Sequence, residues 1–484
     1  MVYMKKNFLK DISASTIQIV LNQSLGLLAF IIISRYLVKA EYGELNWSLA
    51  ILTFIITLLS LRLEQIVVRK VAAGDDASKI LTLFSGHTFI SGIAFYIFLF
   101  LSNLAFPSFF ERHQFLLILA ISQLISFISL PFKQIVNGKE FFRLLAVMSS
   151  VSNLIRAVWL LWIVFFSELT VQGVLIIYIV SALAELAVNF YIVRYRLKIC
   201  AGRWIIKDYF LLLNESIPQI GSVFLNACIA RIDWILLGIF SGTIITAEYS
   251  FAYRVFELCP VPLLILGPIL LSRFSKYFSQ NSETALLNKK REIGFFIRCE
   301  MIAATSIPLV LNILWTPLID LITNNKYGAV NKTNFLLLSL CLPFQYMNNL
   351  LWTVEFAQNR LKRIFKITAT TCIIIVVGNL FMIPLLNARG AAIVYLLATI
   401  TECLIYLRVS IIGRIKESWQ SLFFCTGILL LSGFAANHIT DIVLIQLLLS
   451  VVIYFILLLV TKQIKKDDLQ IIREWLYKKQ PAYI

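Results

Sequence analysis

Residues 214–260 read Asn-Glu-Ser-Ile-Pro-Gln-Ile-Gly-Ser-Val-Phe-Leu-Asn-Ala-Cys-Ile-Ala-Arg-Ile-Asp-Trp-Ile-Leu-Leu-Gly-Ile-Phe-Ser-Gly-Thr-Ile-Ile-Thr-Ala-Glu-Tyr-Ser-Phe-Ala-Tyr-Arg-Val-Phe-Glu-Leu-Cys-Pro. Two apolar runs, each long enough to cross a bilayer, flank the turn Ser241-Gly242-Thr243 and carry Arg231, Asp233, Arg254 and Glu257 well inside their length. A charge at bilayer depth costs about 2.5–3.5 kcal/mol on insertion scales, so such residues face a bundle interior or a wet cavity. The stretch predicts a helical membrane protein built around a polar interior.

The whole chain agrees. Of its 484 residues 60% are hydrophobic and 14% charged, where a soluble domain carries about 25% charged residues. The apolar runs are long and do not alternate, which argues against a β-barrel. Eight cysteines are scattered singly without a CxxC, and the three histidines, His87, His113 and His438, lie far apart. This supply suggests neither a disulfide framework nor a metal site, and no cofactor is expected.

Fourteen apolar spans are predicted between residues 12 and 461, the second at 47–68 after a connection at 35–46, the ninth at 294–322 and the tenth at 335–356. Connections on the side of the N-terminus hold 33 of the 43 Lys and Arg, and those on the other side hold 6. Positive charge collects on the cytoplasmic side, so both termini are expected there. The net charge of +17 is thereby a topology signal, and nucleic acid is not an expected partner. Lys133 is counted in an inner connection at 133–143. The basic start, Met1 to Lys10, leads into a retained first span, because no small-residue cleavage site follows it. Residues 464–478 set Ile464, Ile471, Ile472, Trp475 and Leu476 on one face, as in an amphipathic helix lying on the inner leaflet.

Spans one to six align with spans seven to twelve. Ala40-Glu41-Tyr42 recurs as Ala247-Glu248-Tyr249, while Gly173, Ile176, Tyr178 and Glu185 recur 217 residues on as Gly390, Ile393, Tyr395 and Glu402. An even number of spans per repeat makes the repeats parallel, a transporter architecture in which substrate passes between lobes. The expected fold class is all-α: a polytopic membrane protein of about 14 transmembrane helices, with two six-helix lobes related by a parallel repeat plus two extra C-terminal helices. The expected domains are an N-terminal lobe at 1–200, a C-terminal lobe at 201–412, and spans thirteen and fourteen with the amphipathic tail at 413–484.

The charges inside spans are the candidate site. Arg156 shares a helical face with Ser149, Ser152 and Asn153, and Arg254 shares one with Ser250 and Glu257, at ion-pair spacing. Asp233 lines up with Ser222 and Asn226, whereas Arg231 points about 160° away at 100° per residue. Glu64 lines up with Thr53, Thr57 and Ser60, Arg62 with Gln65 and Arg69, and Glu185 with Tyr178, Ser181 and Asn189; Glu402 lies on a more apolar face. Arg156, Arg254, Arg231 and Arg62 are candidate substrate-binding residues, because the arginine fork matches phosphate oxygens two at a time. Asp233, Glu257, Glu185, Glu402 and Glu64 are candidate ion-coupling residues. Pairing that merely holds the bundle together is the plainer reading of each, and both stay open. Span one is polar at Ser15, Thr16, Gln18, Asn22 and Gln23, which suits sugar hydroxyls or helix–helix bonds equally. Pro218, Pro260, Pro262, Pro268 and Pro308 interrupt spans seven to nine, freeing backbone groups that are tolerated only beside protein or water.

Tyr42-Gly43-Glu44-Leu45-Asn46-Trp47, Leu61-Arg62-Leu63-Glu64-Gln65-Ile66-Val67-Val68-Arg69-Lys70, Ile217-Pro218, Arg231-Ile232-Asp233-Trp234-Ile235-Leu236-Leu237-Gly238 and Ala247-Glu248-Tyr249-Ser250-Phe251-Ala252-Tyr253-Arg254 resemble bacterial polysaccharide flippases of the O-antigen type. These belong to the multidrug, oligosaccharidyl-lipid and polysaccharide exporter superfamily. The family usually has Leu-Gly-Leu-Asp where this chain has Leu61-Arg62-Leu63-Glu64. The resemblance implies an inner-membrane flippase for an undecaprenyl-diphosphate-linked oligosaccharide. It also implies a cation-rich cavity, coupling to a proton or sodium ion, contact with membrane lipids, and other polysaccharide-assembly proteins as partners. A peptidoglycan-precursor flippase and a multidrug exporter are the alternatives in transport. The alternative of another class is a membrane-embedded polymerase or ligase; the short outer connections lack room for its catalytic residues, and no catalytic residue is assigned.

Overall fold

A computed structural model describes residues 21–263, 267, 270, 271, 274, 275, 290–465 and 468. Ser15, Thr16 and Gln18 of the first span, Pro268, and all of the 464–478 tail except 464, 465 and 468 lie outside them. Among the described residues there is no strand. Among the described residues ten helices are long and apolar enough to cross a membrane, and the chain divides into two compact units after Ser250.

The first unit contains α1 (21–36), α2 (Lys39–Leu59), α3 (Leu63–Ala72), α4 (Ala77–Ala105), the short α5 (Pro107–Arg112), α6 (Phe115–Gly138), α7 (Phe142–Phe166), α8 (Val171–Tyr191) and α9 (Ile206–Phe240), together with the start of α10 (Thr243–Phe256). Helix α6 is central, with α2, α3, α4, α7 and α8 packed around it. Leu63, Val67, Phe84, Ile135, Val136 and Met148 form its buried core at one end. Outward faces stay apolar, as lipid requires: Phe165 and Phe166 are 76% and 74% exposed.

Small residues set a close helix contact in this unit. A Cβ on Gly43 would lie 1.8 Å from the carbonyl oxygen of Thr243, and one on Gly238 would lie 1.9 Å from the Trp47 ring. The Trp47 indole donates to the carbonyl of Ile235 (3.1 Å) and Lys39 pairs with Glu248 (2.8 Å). Three of the segments quoted for the family resemblance therefore pack on one another, in the close approach that glycine permits between membrane helices.

Two sequence boundaries are corrected here. The connection expected at 35–46 is helical from Lys39, with Glu41 in the favourable first turn. The second span does not run straight to residue 68: Leu61 and Arg62 are left-handed (φ 50° and 62°), so the chain breaks between α2 and α3. Glu64 thus begins a new helix and does not continue the face of Thr53, Thr57 and Ser60. His87, buried on α4, braces the break. The carbonyl of Leu59 can only accept, so the imidazole Nε2 carries the proton (2.8 Å), and the Tyr209 hydroxyl donates to Nδ1 (3.0 Å).

The second unit contains the rest of α10, α11 (Lys290–Thr323), α12 (Gly328–Ser339), α13 (Leu342–Ala357), α14 (Leu361–Val409), α15 (Lys416–Ile439) and α16 (Val443–Val460). Helix α11 is its centre, packed by α12, α13, α15 and α16. Trp315 stacks on Phe335 (3.8 Å), and the Asp320 carboxylate caps α12 through the amides of Gly328 (2.7 Å) and Ala329 (3.1 Å). The two extra C-terminal helices, α15 and α16, dock on α11, with Tyr454 bonded to Thr305 (2.6 Å).

Helix α14 holds two spans, broken at Asn387 (φ 52°, ψ −133°). Thr170 caps α8 by accepting from the Gly173 amide (3.2 Å). Thr170 and Asn387 are separated by the same 217 residues as Glu185 and Glu402, so each repeated segment starts at an equivalent helix boundary.

Candidate functional site

In the first unit the polar face of α8 meets α6 and α7 rung by rung. Arg156 of α7 lies over the Tyr178 ring, 4.3 Å from its centroid, and its Nε donates to Ser181 Oγ (2.9 Å). Ser181 in turn donates to the carbonyl of Tyr178 (3.0 Å). Lys133 of α6 pairs with Glu185, and Asn189 donates to Ser129 (2.7 Å). Asn153, one turn from Arg156, donates to Asn22 of α1 (3.4 Å). Arg156 is half-buried, and among the described residues it has no carboxylate partner and its two terminal nitrogens make no bond. A stacked guanidinium, fixed at Nε and open at its outer edge, is shaped to take two oxygens of an anion.

Lys133 corrects the sequence reading: it lies inside α6, not in a connection, so the in-span cations are not all arginine. Its partner Glu185 is 6% exposed.

The other candidates are placed as follows. Asp233 is buried and accepts from the Trp234 amide and the Tyr249 hydroxyl, each at 2.8 Å. Arg231 leans over Trp234 (5.0 Å) and donates to the Ala230 carbonyl (3.0 Å). Arg62 stands at the N-cap position of α3 at the break without a side-chain capping bond, and Glu64 sits in the first turn after it. In the second unit Arg254 is exposed and pairs with Glu257 (2.8 Å), the spacing read from sequence. Glu402 accepts from Asn348 (3.3 Å), which also donates to the Thr399 carbonyl (3.2 Å).

Three buried carboxylates escaped the sequence reading. Glu44 is buried and pairs with His113 (3.0 Å), whose ring lies tilted against Trp47 (4.1 Å between centroids). It falls in the connection expected at 35–46, although Glu41, Tyr42 and Leu45 carry the signature of a helix start. Glu355, with no exposure, pairs with Arg363 (3.0 Å) and Arg360 (3.7 Å). Glu300 is 3% exposed and, among the described residues, neither of its oxygens has a partner. Both lie within predicted spans and were legible as in-span charges.

The sequence profile of the polysaccharide biosynthesis protein family matches residues 8–278. In fold, the chain is similar to the lipid II flippase MurJ in an inward closed conformation, with a TM-score of 0.71 at 16% identity, covering 92% of this chain and 97% of that one. It is also similar to a MOP superfamily transporter from Pyrococcus furiosus (TM-score 0.58, 12% identity, 84% and 96% covered). The Vibrio cholerae MATE transporter VcmN gives a TM-score of 0.57 at 15% identity, with 86% and 98% covered. At such identities the likeness is one of fold. No curated protein matches the chain in sequence. The chain belongs to the polysaccharide biosynthesis protein family, folded in the manner of the MOP superfamily transporters.

Proposed function

We propose that this protein is a flippase. It moves an oligosaccharide linked to undecaprenyl diphosphate from the cytoplasmic to the periplasmic leaflet of a bacterial inner membrane, for surface polysaccharide of the O-antigen or capsule kind. Both of its termini are cytoplasmic in this reading, on the evidence of the Lys and Arg distribution. The observation that carries it is Arg156: a half-buried guanidinium, clamped by Tyr178 and Ser181, with its outer edge open. Such an edge suits a diphosphate or an acidic sugar. Arg231, Arg254 and Arg62 are the other proposed substrate-binding residues, and the proposed lobes at 1–200 and 201–412 alternate access to the substrate. A proton or sodium ion drives the cycle. Glu402 and Glu64 are better placed to exchange it than Glu185, which Lys133 holds, or Asp233, which Tyr249 holds.

The likeness in fold to a lipid II flippase favours a peptidoglycan precursor as the second substrate reading. A cation exporter would want a free carboxylate where Arg156 stands. The deciding experiment is a leaflet-resolved assay of lipid-linked oligosaccharide in cells with and without the protein. Equal periplasmic exposure of the glycan in both would overturn the proposal.

A further inference from the structure

A groove of about 740 Å³ opens in the first unit along the N-terminal half of α9, facing Leu61 at the break between α2 and α3. That volume is in the range of ligand pockets, roughly 300–1,000 Å³. Most of its lining is apolar. Phe210, Leu211 and Ile217 stand 62%, 54% and 58% exposed, a length of hydrocarbon surface left open toward its surroundings. Only Lys207, Asn214 and Ser216 are polar, and Ser216 spends its hydroxyl on the Leu213 carbonyl (2.7 Å).

The charges around the groove are uneven. Lys79 pairs with Asp208, and Arg69 and Lys70 both pair with Glu215, each contact at 2.7 Å. Lys207 lines the groove and, among the described residues, has no acidic partner. Pro218 adds a second polar feature. It sits inside α9 and has no N–H to give the carbonyl four residues back, so Asn214 presents both a side-chain amide and a backbone carbonyl that lacks its regular donor. A freed backbone group in an apolar groove needs a polar neighbour. The groove lies at the end of α9 that follows the Lys- and Arg-rich connection 194–209, where a leaflet of anionic lipid is most strongly attracted.

We propose that this groove is a binding site for an anionic phospholipid, with one acyl chain along Phe210, Leu211 and Ile217 and the headgroup phosphate at Lys207 and Asn214. The phosphate needs the cation, and the chain needs the apolar wall. Inorganic phosphate would forgo the wall, and a zwitterionic lipid would bring its own cation to Lys207. The site does not depend on the flippase reading.

The test is titration of fluorescently labelled phosphatidylglycerol and phosphatidylcholine into the detergent-solubilised full-length protein. The wild type is expected to bind phosphatidylglycerol at least about tenfold more tightly. Lys207→Gln, at an exposed position that leaves packing intact, should bring the two lipids level, and Lys207→Glu should reverse the preference. Ile217→Trp, which fills the groove, should weaken both lipids about tenfold while the Lys207 variants keep wild-type thermal stability. Unchanged phosphatidylglycerol binding in Lys207→Gln and Lys207→Glu would overturn the proposal. So would equal binding of the two lipids by the wild type, or complete displacement of phosphatidylglycerol by equimolar undecaprenyl phosphate, which would give the groove to the carrier lipid. A protein that binds phosphatidylglycerol as described yet leaves the leaflet assay unchanged would sink the flippase reading and leave the groove standing.

Discussion

Lys133 of α6 and Glu185 of α8 form an ion pair in the seam between their helices, Glu185 almost wholly buried and Lys133 largely so. Removing one partner of a buried pair leaves an uncompensated charge and costs about 3–5 kcal/mol, whereas replacing both with apolar residues is often neutral. Lys133→Met and Glu185→Leu are each expected to lower the unfolding temperature in detergent sharply, and the double variant to recover most of the loss. Full stability in Glu185→Gln together with loss of transport would favour a proton-carrying role for Glu185 over a pairing role.

The α2–α10 approach gives a second expectation. Gly43 faces the backbone of Thr243, which cannot swing aside as a side chain does. Overpacking of this kind costs about 1–3 kcal/mol. Gly43→Ala should therefore reduce thermal stability. Gly238→Ala meets the ring of Trp47 instead, and pairing it with Trp47→Phe should return part of the loss. Wild-type stability in Gly43→Ala would show that the helices do not approach as closely as described.

The break at Leu61-Arg62 gives a third. A left-handed conformation costs a non-glycine residue about 1–2 kcal/mol, and Arg62 adopts it at φ 62°. Arg62→Gly should keep or raise the unfolding temperature, while the β-branched Arg62→Val should lower it. Transport by Arg62→Gly at the wild-type level would remove Arg62 from the substrate site, because that variant changes the charge without straining the backbone.

Much of this was legible in the sequence because the bilayer writes its demands in long apolar runs. Span-length hydrophobicity located the helices, and the 217-residue offset paired Glu185 with Glu402; that the same offset relates the helix boundaries at Thr170 and Asn387 is a finding of the structure. The polar face of α8 was also legible, since Tyr178, Ser181, Glu185 and Asn189 recur at helical spacing. Partners across the seam were not. Nothing in the sequence says that residue 133 lies opposite residue 185, and Lys133 sits close enough to a span end to pass for a connection. The Leu61-Arg62 break was hidden for a different reason: neither residue is a usual left-handed type. The glycine contacts were invisible as well, because a glycine in a span looks the same whether it meets lipid or a neighbouring backbone.

The last expectation concerns Arg156, where binding and scaffolding make different demands. Its Nε is spent on Ser181 and its face on Tyr178, so these contacts fix the side chain and leave the outer edge for a ligand. A charge-assisted hydrogen bond is worth about 1.5–3 kcal/mol, and each 1.4 kcal/mol is tenfold in an equilibrium constant. Arg156→Gln should therefore cut glycan translocation about ten- to a hundredfold at normal membrane abundance. Arg156→Lys keeps the charge but loses the planar fork, and should retain part of the activity. Tyr178→Leu removes the stack without touching the charge, and should weaken translocation by less than Arg156→Gln does. The scaffolding account predicts otherwise: activity would fall only as abundance falls, in Arg156→Lys as in Arg156→Gln, and Ser181→Ala would reproduce the defect. The measurement is the leaflet assay normalised to protein in the membrane. An abundant Arg156→Gln variant that moved glycan at the wild-type rate would remove the guanidinium from the mechanism.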